Sequence, residues 1–85
     1  MARLELYVDW DIYDDNGEKL EEGDRVRASY GGDFVKGTIT QLYCIADEEI
    51  GYIEIEPTEE VDLKTAKFFS EERDVREFFS IKKLK

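Results

Sequence analysis

Hydrophobic and polar positions alternate from the start of the chain. Leu4, Leu6, Val8, Trp10 and Ile12 fall on one side, and Arg3, Glu5, Tyr7, Asp9, Asp11 and Tyr13 on the other. A period of two marks a half-buried strand, so residues 3–13 are predicted to form one. Asp14-Asp15-Asn16-Gly17 follows as a turn centred on Asn-Gly. Glu22-Gly23-Asp24 is a second turn, leading into Arg25–Tyr30, where Val26, Ala28 and Tyr30 point inward. After the loop Gly31-Gly32-Asp33, residues 34–45 are rich in β-branched and aromatic side chains and read as one long strand. Gly37 within it predicts a bulge or a sharp bend. Ala46-Asp47-Glu48-Glu49 is an acidic turn, and residues 50–56 form a further strand, closed by Pro57, which has no amide proton to donate.

The last third admits two readings. Ser70-Glu71-Glu72-Arg73 can cap a helix carrying Val75, Phe78 and Phe79 on one face, but Ile81 and Leu84 then fall on the opposite face. Alternatively, residues 66–69 pair with 74–79 as a hairpin across Ser70–Arg73, and Ser80–Leu84 is a closing turn. The phases of the apolar positions favour the hairpin. Turns about every ten residues suit a small barrel or sandwich. The chain reads as a single domain over residues 1–85, without linker, repeat or low-complexity stretch.

The run Asp15-Asn16-Gly17-Glu18-Lys19-Leu20-Glu21-Glu22-Gly23-Asp24-Arg25-Val26 resembles a pattern in small phage proteins of the YopX-like group, where it enters the first strand of a compact β-barrel. The Glu22-Gly23-Asp24-x-Val26 entry, followed by a strand and Gly37-Thr38-Ile39, also resembles SH3-like and KOW-type barrels. In such barrels a turn of the form Ser-Ile-Lys-Lys-Leu, as at residues 80–84, often closes the fold. The resemblance implies a phage or mobile-element origin and no particular activity. The resulting expectation is a mostly β protein: a small antiparallel SH3-like β-barrel with an extra N-terminal strand and a C-terminal hairpin or short helix.

Charge changes the picture more than composition does. The 85 residues carry 22 Asp and Glu against 12 Lys and Arg, a net charge of −10. Residues 1–24 contribute −7 and residues 47–62 contribute −8, while the segments 25–46 and 63–85 are net positive. With 41% hydrophobic and 13% aromatic residues, the chain is too apolar for a disordered acidic tail. It has no His, which removes imidazole bases and His metal ligands. Its one cysteine, Cys44, favours a reducing setting and reads as a small core residue. With no signal-peptide core and no apolar stretch of membrane-spanning length, the expected location is the cytoplasm, away from membranes, and the resemblance implies that the cell is a bacterial host.

Candidate chemistry is sparse. With Gly17 at the sixth position of a calcium loop, Ile12 and Gly23 occupy the first and twelfth, where ligands are required, so that reading fails. Gly31-Gly32 lacks the lysine and helix of a phosphate-binding loop. No catalytic residue, metal site or cofactor is implied, and a non-enzymatic protein is expected.

Binding remains. The candidate acidic face comprises Asp9, Asp11, Asp14, Asp15, Asp47, Glu48, Glu49, Glu54 and Glu56, with Glu59 and Glu60 extending it. Tyr7 and Tyr13 flank Asp9 and Asp11 as an aromatic strip. Alternate strand residues lie about 6.6–6.8 Å apart, close to two phosphate steps of about 3.4 Å, so acids such as Asp9 and Asp11 or Glu54 and Glu56 can imitate a nucleic acid. The expected partner is a protein with a basic surface, with self-association as another fit. The alternative is a nucleic-acid-binding barrel using Arg25, Arg27, Lys36, Lys82, Lys83 and Lys85 beside Tyr30 and Phe34. The net charge disfavours it, and Arg25 and Arg27 are expected to pair with nearby carboxylates.

Overall fold

Val26 and Ala28 alternate with Arg25 and Arg27, and this stretch becomes β1, Arg25–Tyr30, in the computed structural model, which describes residues 11–45 and 50–84. The glycine turn Gly31-Gly32 reverses the chain into β2, Asp33–Ile45, and β3 is Ile50–Pro57. These are the three strands expected over residues 25–30, 34–45 and 50–56. They pair in sequence, with Ala28 opposite Val35 and Ile39 opposite Ile55. The remaining elements are a helix α1, Leu63–Phe69, a two-residue strand β4, Arg73–Asp74, a 3-10 turn at Val75–Glu77, and β5, Ser80–Lys83.

The result is a mostly β fold: one antiparallel five-strand sheet in the order β4-β3-β2-β1-β5. The sheet is open, since β4 and β5 stand at its two edges. One face is lined by Val26, Ala28, Val35, Ile39, Ile53, Ile55 and Ile81, and Leu20 and Phe69 complete the buried core. Burying each such side chain is worth about 1.5–3 kcal/mol, which is what holds so short a chain together.

The C-terminal third differs from both sequence readings. Residues 66–69 belong to α1 and make no hairpin, and Ser70 ends a helix where the alternative reading had it begin one. The starting signal is Asp62, whose carboxylate accepts the Thr65 amide at 2.7 Å. At the other end, the Ser70 amide and hydroxyl both donate to the Lys67 carbonyl. A seven-residue helix is marginal by itself, and packing sustains it. Phe68 stacks on Tyr30 with ring centroids 3.8 Å apart, while Phe69 meets the same tyrosine edge-on at 5.6 Å. The Ser80–Leu84 turn is likewise a correction. Residues 80–83 form β5, with Ile81 opposite Ala28 and Lys83 opposite Val26. Ile81 and Val26 attract each other across a distance in sequence that local pattern does not register.

Gly37 is not the bulge. The register shifts between Ile39 and Gln41, and the displaced Thr40 hydroxyl donates to the Glu54 carbonyl at 3.2 Å and to its carboxylate at 3.0 Å. Gly37 serves a different purpose. It lies opposite Val26 and Pro57, where a side chain would collide with Ile55 and the Glu56 carbonyl.

The predicted N-terminal strand falls largely on residues 1–10, outside the described residues. From its end, Ile12 packs against the core and Tyr13 bridges to Lys19 across the Asn16-Gly17 turn. The acidic turn at 46–49 also lies outside them.

Candidate functional site

The turn after Tyr13 is built around one carboxylate. Asp14 Oδ1 accepts the Asn16 and Glu18 amides at 2.9 and 2.8 Å, and Oδ2 accepts the Lys83 amide at 2.8 Å. Gly17, at φ 80°, supplies the left-handed residue that lets the loop close on it. The Lys83 amide does most to hold the Asp14 carboxyl below the ordinary carboxylate range, and the Glu18 and Asn16 amides add to this against the opposing effect of burial. Asp14 is 7% exposed and saturated with donors. It was expected on the acidic face, but it fastens the turn to β5.

The neighbouring acids are also engaged. Asp15 accepts the Ser80 hydroxyl, and its own amide donates to the Ile81 carbonyl. Asp11 pairs with Lys19 at 3.2 Å and raises that lysine's pKa, mainly through their hydrogen bond. Tyr13 is exposed, with its hydroxyl donating to Asp11. Asp9, Asp47, Glu48, Glu49 and Tyr7 lie outside the described residues.

The acids of β3 sit elsewhere. Beyond Ile53 the strand runs past the end of its pairing with β4, and a groove of about 450 Å³ opens between β3 and α1. Its apolar floor includes Ile55, Val61, Ala66 and Phe69, and its rim carries Glu54, Glu56 and Glu59, with no cation in the lining. Glu59 is held by the Lys36 amide, which donates to it at 3.0 Å. The floor was not legible in the sequence, because it depends on α1 folding back over β3.

The cations divide as well. Lys83 pairs with Asp24 at 3.3 Å and does not join the expected strip. Arg27 lies directly opposite Lys36 on β2 and Lys82 on β5, so one rung of the outer face carries three cations. Arg25 stands on the next outward rung, with Thr38 and Glu56. The pairing of Arg25 and Arg27 with carboxylates that the sequence suggested is not found among the described residues. Among the described residues neither enters an ion pair, and the Arg27 guanidinium lies 4.1 Å from the centre of the Phe34 ring instead. The register gives a reason: the residues directly opposite Arg27 are lysines, and the residue opposite Arg25 on β2 is Thr38.

The helical reading of the C-terminal third put Val75, Phe78 and Phe79 on one face. Phe79 is 82% exposed, whereas Phe78 turns inward to Phe68 and Phe69. Among the described residues no three carboxylate or cysteine side chains gather as a metal site, and no helix is long and apolar enough to cross a membrane. Comparison with protein families, with curated proteins and with solved structures finds no match for this chain.

Proposed function

We propose that this chain is a non-enzymatic accessory protein of phage or mobile-element origin that binds a protein partner with a basic surface. One observation carries the reading: the acid-rimmed, apolar-floored groove along the part of β3 that extends beyond β4. An extended segment can add to a strand edge through its backbone, while alternate side chains meet the pockets beside it. Lysines or arginines on that segment would meet Glu54, Glu56 and Glu59, and an apolar residue between them would reach Phe69 and Val61. The origin rests on the resemblance of residues 15–26 to phage barrel proteins. The sheet order, with β5 returning beside β1 after a 3-10 turn, supports an SH3-like relationship.

The separation of the acids favours a local groove over imitation of a nucleic acid. Asp15 is bonded to β5, whereas Glu54 and Glu56 are on β3. β1 and β2, with the cationic rung, lie between them in the sheet.

The test is capture from bacterial lysate on the tagged protein, compared with the Glu54→Gln/Glu56→Gln/Glu59→Gln variant. The expected result is a basic protein retained by the wild type, released by salt and lost with the variant. Equal retention by the two proteins removes this reading.

A further inference from the structure

The outer face of β5, β1 and β2 adjoins the groove at Lys36, whose amide holds Glu59, and combines two exposed features. The first is the rung Lys82–Arg27–Lys36, fixed by strand register. Neighbouring strands are about 4.8 Å apart, so the three residues span about 10 Å and their long side chains sweep a wider arc. None of the three enters an ion pair among the described residues. The second feature is a pair of phenyl rings on the same side. Phe34 is 57% exposed and Phe79 is 82% exposed.

These rings are not on loose ends. The Phe79 amide donates to the Ser29 carbonyl at 2.8 Å, which fixes it at the entry to β5, and Phe34 lies within β2 opposite Ser29. Together they border an open recess of about 570 Å³ whose lining includes Ser29, Ser80 and Lys82. Gly31 and Gly32 leave its far side clear, since a methyl group at either would meet nothing within 4 Å.

We propose that this face is a binding platform for single-stranded nucleic acid. Unpaired bases offer flat π-faces to Phe79 and Phe34, and the connecting phosphates offer negative charge to Lys82, Arg27 and Lys36. Platforms of aromatic rings beside a cationic track bind single strands with little sequence preference. An acidic peptide uses the cations but leaves the rings wet. A duplex keeps its bases stacked inside and presents a denser array of phosphates to a protein of net charge −10. That net charge is an average. The register gathers the cations of three strands on one rung, and repulsion from acids more than about 10 Å away is screened at 0.1 M salt.

The experiment is fluorescence anisotropy of a labelled short oligodeoxythymidylate titrated with the full chain at several salt concentrations. Three phosphate contacts give a log–log salt slope of about −2, or a loss of about twentyfold in affinity when salt rises fourfold. Phe79→Ala, at an exposed ring, is expected to weaken binding by about fivefold or more at unchanged salt slope. Lys82→Ala is expected to reduce the slope by about 0.7. Glu54→Gln/Glu56→Gln, on the groove, is expected to leave the oligonucleotide bound at least as tightly, so the two surfaces are tested separately. The proposal is overturned by no anisotropy change at low salt, by a Phe79→Ala protein that binds like the wild type, or by tighter binding of the matching duplex. A concentration-dependent dimer that Phe79→Ala abolishes, with no oligonucleotide bound, assigns the face to self-association and equally overturns it.

Discussion

Asp14→Ala is expected to lower the unfolding free energy by about 2–4 kcal/mol, a large share of what a domain of this size possesses. The carboxylate accepts three backbone amides, from Asn16, Glu18 and Lys83, and so ties the first turn both to itself and to the edge strand. Truncation leaves these donors without an acceptor in a site too enclosed for water to replace every bond. Asp14→Asn keeps one oxygen and should fall between alanine and the wild type. Urea unfolding at neutral pH measures all three. Asp11→Ala is the control, because its solvent-screened pair with Lys19 contributes little to stability. If Asp14→Ala costs no more than Asp11→Ala, the turn is not held as described.

The same carboxylate gives the protein an acid limb. Its folded pKa lies below the ordinary 3.8, so its contribution is complete above that value and is lost as pH falls through the lower folded value. Asp62, lowered chiefly by the Thr65 amide, and Asp74, lowered chiefly by its hydrogen bond with Arg76, act in the same direction. Protonating the other acids relieves the self-repulsion of a −10 chain, which opposes the loss in every variant alike. The comparison therefore isolates the effect: below about pH 4 the wild type should lose stability more steeply than Asp14→Asn, and parallel curves would contradict it.

Gly37→Ala is the second large effect, expected to cost about 2–3 kcal/mol. The new methyl would sit 2.5 Å from Ile55 Cγ2 and 2.6 Å from the Glu56 carbonyl oxygen. The second contact is with backbone in the last paired residues of β3, so relief requires β2 and β3 to part at that end. Gly51→Ala is the informative contrast. Its methyl would approach the flexible tip of Ile12 at 2.9 Å, which can rotate away, and a loss of under about 1 kcal/mol is expected. Thermal unfolding of the pair checks this, and equal shifts would show that the β2–β3 approach is not tight at Gly37.

The functional surfaces were only partly legible. Glu54 and Glu56 were evident as an alternating acidic pair, but the groove beside them needs Val61, Ala66 and Phe69, which α1 brings over from later in the chain. Arg27, Lys36 and Lys82 were evident as cations, but nothing local says that they share one rung. Lys83, one residue from Lys82, is drawn instead to Asp24. Phe78 and Phe79 look equivalent in sequence. They part because the 3-10 turn at Val75–Glu77 ends at Phe78, which fills the space beside Phe68, and the chain then extends into β5 with Phe79 outward.

Local pattern alone was sufficient for β1, β2 and β3 and for the Asn16-Gly17 turn, because side-chain alternation and positive φ are properties of a few consecutive residues. It also established the blockwise charge, which is simple counting. The tertiary structure decided the rest. α1 forms where Asp62 caps it and Tyr30 receives its phenyl rings, and β5 forms because Ile81 completes a core begun by Val26 and Ala28. It likewise turned Asp14 from a surface acid into a buried anchor, and separated an acidic groove from a cationic, aromatic face. Each of these depends on pairing between residues distant in sequence, where long-range burial outweighs the weak preferences of short segments.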